Sequence, residues 1–149
     1  MPSRRVVIDS NELQGNHLGY RFDGIDSVVS HLKTGDYSLE GLEDRVAVER
    51  KSKADAYGCV GKGRDRFVRC LQRLAAMDRG IVVIEADLAD FADPPAYTKI
   101  NAASAVGSYV SWMCRFGVPV VFGGSREYCE RVVVRFLEAY EKYRMGKGK

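Results

Sequence analysis

The chain has 149 residues, 46% of them hydrophobic, and a formal net charge of +3. It fits one domain, long enough to bury a core and too apolar for a disordered chain, and its overall charge permits nucleic-acid binding without arguing for it. No apolar stretch is long enough to span a membrane, and Met1-Pro2-Ser3-Arg4-Arg5 leads straight into a strand-like run with no signal peptide.

Val6-Val7-Ile8 reads as a short central strand carrying Asp9 at its end. Asn11 to Asp23 is polar and glycine-containing and reads as a loop. Ser27 to Lys33 reads as a strand because of its β-branched pair and the nearby turn at Gly35. Helical spacing of Ile25, Val28, Val29 and Leu32 is the competing assignment. Tyr37 to Leu39 is another short strand, Gly41-Leu42-Glu43-Asp44 turns, and Val46 to Lys51 runs back, so the three runs make an antiparallel meander. Ser52 or Asp55 can cap the following helix, which Gly58, Gly61 and Gly63 interrupt. Asp65 to Arg79 is an amphipathic helix whose apolar stripe is Phe67, Cys70, Leu71, Leu74 and Met77. Ile81 to Glu85 reads as a buried strand parallel to its neighbour. After a loop with Pro94-Pro95, Asn101 to Phe116 is helical, Val118 to Phe122 is a strand, and a last helix runs from Glu127 to about Tyr143. Residues 1–145 form one domain, and 146–149 a frayed tail. Strands first, then alternating helices and strands, predict an α/β domain with a mixed central sheet flanked by helices.

The cysteines Cys59, Cys70, Cys114 and Cys129 match no zinc spacing, even with His17 and His31. They read as reduced, mostly buried thiols of a cytosolic protein. The glycines from Gly58 to Gly63 lack the spacing of a phosphate-binding P-loop. The local charge is uneven: between Glu49 and Arg79 lie Arg50, Lys51, Lys53, Lys62, Arg64, Arg66, Arg69, Arg73 and Arg79, against Glu49, Asp55, Asp65 and Asp78. A basic segment beside a carboxylate cluster is what a phosphate-cleaving site needs.

The cluster is Asp36, Glu49 and Lys51. Residues two apart on a strand share a face, so Glu49 and Lys51 lie together on the strand Arg45 to Lys51. A hairpin brings Asp36 beside them. Two carboxylates and an ammonium at one point suit metal-assisted phosphodiester hydrolysis. The carboxylates offer hard oxygen ligands to Mg²⁺ or Mn²⁺, and the lysine orients the attacking water or neutralises the phosphate. Asp9, and less surely Glu12, complete the acidic cluster. Arg50 points away from Glu49 and either anchors the site through buried carboxylates or contacts a phosphate. Asp55 pairs with Arg50 or Lys51, or caps the helix, in a supporting role. Tyr37, Tyr57 and Phe67 are available to stack on bases, although core packing is the commoner fate of such residues. Tyr109 and Trp112 belong to the core or to a dimer surface.

Gly35-Asp36-Tyr37 followed by Val48-Glu49-Arg50-Lys51-Ser52-Lys53-Ala54-Asp55 resembles the G-D-x(n)-E-R-K-x-x-x-D signature of the XPF-type nuclease domain of structure-specific DNA endonucleases. The resemblance extends from Val6 to about Tyr140. It departs at Asp9-Ser10-Asn11-Glu12, where the family often reads D-x-R-E. It implies a restriction-endonuclease-like core, a Mg²⁺ or Mn²⁺ cofactor, and Asp9, Asp36 and Glu49 as metal ligands. Gly63-Arg64-Asp65-Arg66 resembles the family's G-R stretch, which implies DNA-backbone contact by Arg64, Arg66, Arg69 and Arg73. Glu85 ends its strand as in family members reading V-E. The implied reaction is in-line attack of water on phosphorus, leaving a 5′-phosphate and a 3′-hydroxyl on branched, flap or forked DNA. The implied setting is a free-standing domain in the cytoplasm of a bacterium or phage-infected cell, where a homodimer or a partner protein supplies DNA-shape recognition. The alternative from another class is a non-catalytic DNA-binding or scaffolding subunit, and the intact Asp36, Glu49 and Lys51 argue against it. An RNA-directed nuclease is a remoter option.

Overall fold

The computed structural model describes residues 1–13 and 19–144. Strands β1 (Val6–Asp9), β2 (Ser27–Ser30), β3 (Tyr37–Leu39), β4 (Val46–Ser52), β5 (Arg79–Glu85) and β6 (Val120–Phe122) form one mixed sheet in the order β2-β1-β3-β4-β5-β6. Helices α1 (Lys53–Gly58), α2 (Arg64–Ala76), α3 (Leu88–Phe91), α4 (Ala102–Phe116) and α5 (Arg126–Arg144) flank it, and a 3-10 turn (Ser10–Leu13) follows β1.

The centre of the sheet is β4 beside β5, parallel and in register from Val46↔Arg79 to Ser52↔Glu85. Alternation along these strands feeds two separate cores. Ala47, Val82 and Ile84 pack with Tyr57, Phe67, Leu71, Leu74, Tyr109 and Trp112 beneath α1, α2 and α4. Val46, Val48, Ile81 and Val83 pack with Tyr20, Phe22, Tyr37, Val133 and Leu137 on the α5 side. The same alternation places Glu49 and Lys51 on the α2 side and Arg50 on the α5 side.

The helices form where their sequences carry both a stripe and a cap. On α2 the stripe Phe67, Cys70, Leu71 and Leu74 is buried, with Asp65 in the first turn and Arg73 in the last, as the helix dipole favours. Ser52 Oγ accepts the Asp55 N–H at 3.1 Å, so Ser52, not Asp55, caps α1. Asn101 Oδ1 accepts the Ser104 N–H at 2.8 Å, and α4 ends on Gly117 in the left-handed region at φ 68°.

The meander differs from the expectation. The strand at Ser27 does not pair with Tyr37–Leu39; it lies at the sheet edge, parallel to β1. β3 pairs antiparallel with both β1 and β4, so the meander is β1-β3-β4. Burial explains this. β1 is buried along its whole length and needs a neighbour on each side, whereas Ser27 and Ser30 suit an edge. The expected loop from Asn11 to Asp23 is not merely surface: Glu12, Tyr20 and Phe22 are buried. α3, capped by Asp87, was not expected from the sequence. Cys59, Cys70 and Cys129 are buried as expected, while Cys114 is exposed. His17 and the tail 146–149 lie outside the described residues.

Candidate active site

Asp36 is fixed by the strands on either side of it. Its backbone N–H donates to Val48 O at 2.7 Å, and its carbonyl accepts the Asp9 N–H at 2.9 Å. Its Oδ2 accepts the Arg50 N–H at 2.7 Å. Gly35 makes the approach possible. Its φ is +80°, and a Cβ there would stand 2.9 Å from Ala47 Cβ and 3.0 Å from Val48 O. Burial first, then the charges of Glu49 and Glu12, push the Asp36 carboxyl well above the usual aspartate range, against the pull of the Arg50 N–H and Lys51.

Glu49 and Lys51 project from one face of β4, with Lys51 Nζ 3.2 Å from Glu49 Oε2. The ammonium also lies 5.4 Å from the Phe67 ring centre. Burial, the largest single influence, works against the charged lysine, but Glu49, Cys59 and Asp36 together outweigh it and hold the Lys51 pKa above the ordinary value. Lys51 is therefore a cation here, suited to a phosphate or to orienting water, and no proton acceptor at neutral pH.

These side chains open into a cleft of about 720 Å³. Asp9, Glu12, Asp36, Glu49 and Asp55 supply its acidic part; Lys33, Lys51, Lys62, Arg66 and Arg73 supply the basic part. Arg66 and Arg73 are two turns apart on α2 and share one exposed face. Arg69, exposed on that helix, does not line the cleft. Arg64 departs from the expected grouping: it lies against α4, its guanidinium 4.9 Å from the Trp112 ring centre and its Nη1 donating to Ser108 Oγ at 3.2 Å. Two helical positions separate Arg64 from Arg66, a rotation of about 200°. Cys59 and Cys70 also border the cleft, but burial pushes the Cys70 thiol up to about 12 and raises Cys59, so neither is a ready thiolate nucleophile.

Arg50 is buried on the opposite face. Its Nε donates to Glu12 Oε2 at 2.9 Å, and its Nη1 to both Glu85 oxygens at 3.2 Å. Tyr37 Oη donates to Glu12 Oε2 at 2.6 Å and Tyr20 Oη to Glu85 Oε2 at 2.5 Å, with the two rings stacked 5.3 Å apart. Of the two roles left open for Arg50, the structure selects the anchor. Glu12 and Glu85 are its partners, and Asp55 is not. Glu85, which the sequence marked only as a strand-end carboxylate, joins because it shares the α5-side face of β5 with Val83 and Ile81. Tyr37, Tyr57, Phe67, Tyr109 and Trp112 are all core residues, with no face left for a base.

Two carboxylates converge from Asp36 and Glu49, and the first of them is destabilised as an anion. That donor set fits a hard divalent cation, which would relieve the repulsion. Asp9 Oδ1 accepts the Leu32 N–H at 2.8 Å. Among the described residues no group of three or more His, Cys, Asp or Glu side chains is placed to hold an ion by itself.

The fold and the cleft define a six-stranded mixed α/β domain with flanking helices and a restriction-endonuclease-like core. The chain belongs to the ERCC4 domain family, whose model matches residues 8–136. Among solved structures it is similar to XPF from Aeropyrum pernix, at 18% identity and a TM-score of 0.67 over 97% of this chain and 62% of that one. A structure of XPF from Aeropyrum pernix in complex with DNA matches at 18% identity and a TM-score of 0.67, over 95% of this chain and 66% of that one. The chain thus spans less than two thirds of either XPF chain, and at this identity the likeness is one of fold. No curated protein matches the chain in sequence. Among the described residues no helix is long and apolar enough to cross a membrane.

Proposed function

We propose that the chain is a Mg²⁺- or Mn²⁺-dependent DNA endonuclease that hydrolyses phosphodiester bonds in branched, flap or forked DNA. The observation that carries the reading is the Glu49–Lys51 pair, 3.2 Å apart, beside the half-buried Asp36 in a cleft walled by Arg66 and Arg73. Family membership and the likeness to a DNA-bound XPF support it.

Asp36 and Glu49 would hold the ion, with Asp9 at the acidic end of the cleft. The bound ion would supply charge stabilisation and a more acidic water. Asp36 is aimed by the Arg50 N–H and by Gly35, so its oxygen is set before substrate arrives. Lys51 stays protonated, balances the incoming phosphate and donates a hydrogen bond to the attacking water or to a phosphate oxygen. Arg66 and Arg73, with Lys62, hold the backbone without reading sequence. Arg50, Glu12, Glu85 and the two tyrosines carry no chemistry; they keep β4 in place. Recognition of DNA shape would come from a second copy or a partner protein.

The test is cleavage of labelled duplex, single-stranded, flap and forked DNA, and of matched RNA forks, with Mg²⁺, Mn²⁺ or EDTA. Glu49→Gln is expected to lose more than about 100-fold in rate, beyond what an outer-shell partner is worth, while retaining DNA binding. Full activity in Glu49→Gln would refute the site. A folded wild type that binds DNA and never cuts would favour the non-catalytic subunit.

A further inference from the structure

We propose a second DNA-backbone groove on α4, which takes up the strand leaving the catalytic cleft. This inference rests on the endonuclease reading and adds a binding site outside the cleft. The groove measures about 630 Å³ and is lined by Val60, Arg64, Lys99, Ser104, Gly107 and Ser108, among others. It carries two cations and several hydroxyls, and no carboxylate lines it.

Its position joins it to the site. Gly58, Cys59, Lys62 and Gly63 face the cleft, whereas Val60 and Arg64 of the same turn face the groove. One short ridge therefore separates the two, and a strand crossing that ridge passes from Lys62 to Arg64. The turn packs on the loop that carries Lys99: a Cβ on Gly61 would stand 3.0 Å from Ile100 Cδ1.

The charges are arranged for an anion. The Arg64 guanidinium lies 4.9 Å from the Trp112 ring centre and donates Nη1 to Val60 O and Ser108 Oγ, both at 3.2 Å. Those bonds leave donors of the guanidinium fork for a ligand. Among the described residues neither Arg64 nor Lys99 is paired with a carboxylate, so both charges are available to an anion. Two residues before Lys99, Tyr97 is 78% exposed and offers a ring on which a base can stack. Cations in a groove, with an exposed aromatic nearby in the chain, suit a nucleic-acid backbone and its bases.

Gly107 supplies an independent pointer. It sits in the middle of α4, where glycine costs about 1 kcal/mol relative to alanine. A Cβ there would meet no atom within 4 Å, so packing does not require glycine. What glycine does provide is a flat floor to which a backbone can come close.

The experiment is titration of forked DNA in EDTA, by fluorescence anisotropy across a salt series, with the wild type, Lys99→Glu and Gly107→Leu. Melting temperatures confirm that the variants are folded. Each variant is expected to bind about five- to tenfold more weakly at 0.1 M salt. Lys99→Glu should also lower the slope of log affinity against log salt by about one. Wild-type affinity in both variants would overturn the groove and leave the endonuclease reading intact. Weakening in Lys99→Glu alone would also overturn it, because a distant charge effect would then suffice. No binding of any DNA by the wild type would overturn both.

Discussion

The backbone N–H of Arg50 donates to Asp36 Oδ2 at 2.7 Å, so the strand that carries Glu49 and Lys51 also orients the carboxylate that faces them. One residue thereby works on both sides of the sheet. Its amide aims Asp36 towards the cleft, and its side chain is locked between Glu12 and Glu85 behind β4.

Arg50→Ala should destabilise the protein by about 3–5 kcal/mol, because it removes the buried cation that Glu12 and Glu85 share behind β4. Arg50→Lys should recover only part of this, since an ammonium cannot bridge both partners with a planar fork. Denaturant unfolding measures both. An Arg50→Ala protein as stable as the wild type would contradict the assignment of the network.

Asp36→Asn should raise the melting temperature of the metal-free protein while abolishing cleavage. The carboxylate is disfavoured by burial and by Glu49 and Glu12, and asparagine removes that repulsion while its oxygen still accepts the Arg50 N–H. Added Mg²⁺ should stabilise the wild type and leave the variant unmoved. Thermal melts in EDTA and in Mg²⁺ decide it; a lower melting temperature for the variant in EDTA would show that the charge is not a burden.

Gly35→Ala should cost about 1–2 kcal/mol from the left-handed backbone alone. The added Cβ would also press on Ala47 Cβ at 2.9 Å. Because Asp36 is the next residue, cleavage should fall by more than the loss of folded protein explains. Activity per folded molecule, measured beside the unfolding curve, separates the two effects.

Asp78 ties the start of β5 to α5. Its Oδ1 accepts from Arg144 Nη2 at 3.0 Å and its Oδ2 from Tyr140 Oη at 2.8 Å. The Arg144 hydrogen bond first, then Tyr140, holds the Asp78 carboxyl below the ordinary aspartate value. A folded-state pKa below the unfolded one means that this stabilisation is present above the unfolded titration and is lost as pH falls through the lower, folded value. Asp78→Asn should therefore lower stability at neutral pH and narrow its gap from the wild type in acid. A gap that stays constant from neutral pH into acid would contradict the linkage.

Much of the candidate site could be read from spacing alone. Glu49 and Lys51 share a face because a strand repeats every two residues, and Gly35 before Asp36 marked a turn that brings a carboxylate alongside. Arg66 and Arg73 were legible only as members of a basic set that also held Arg64 and Arg69, which the structure places outside the cleft. The meander was misread at Ser27 because strand pairing depends on which neighbour β1 lacks, and that is not written within the segment itself.

The sequence by itself determined the alternation of strands and helices, the shared face of Glu49 and Lys51, and the basic character of α2, since each follows from local periodicity. Only the tertiary structure decided the fate of Arg50, of Arg64 and of the loop after β1. Glu12 and Glu85 lie 38 and 35 residues from Arg50 and meet it only because β1 and β5 are placed about β4. Arg64 turns from the cleft because α4 offers it Trp112 and Ser108 on the other side. Local propensities fix which way a side chain leaves its element; the packing of distant elements fixes what it finds there.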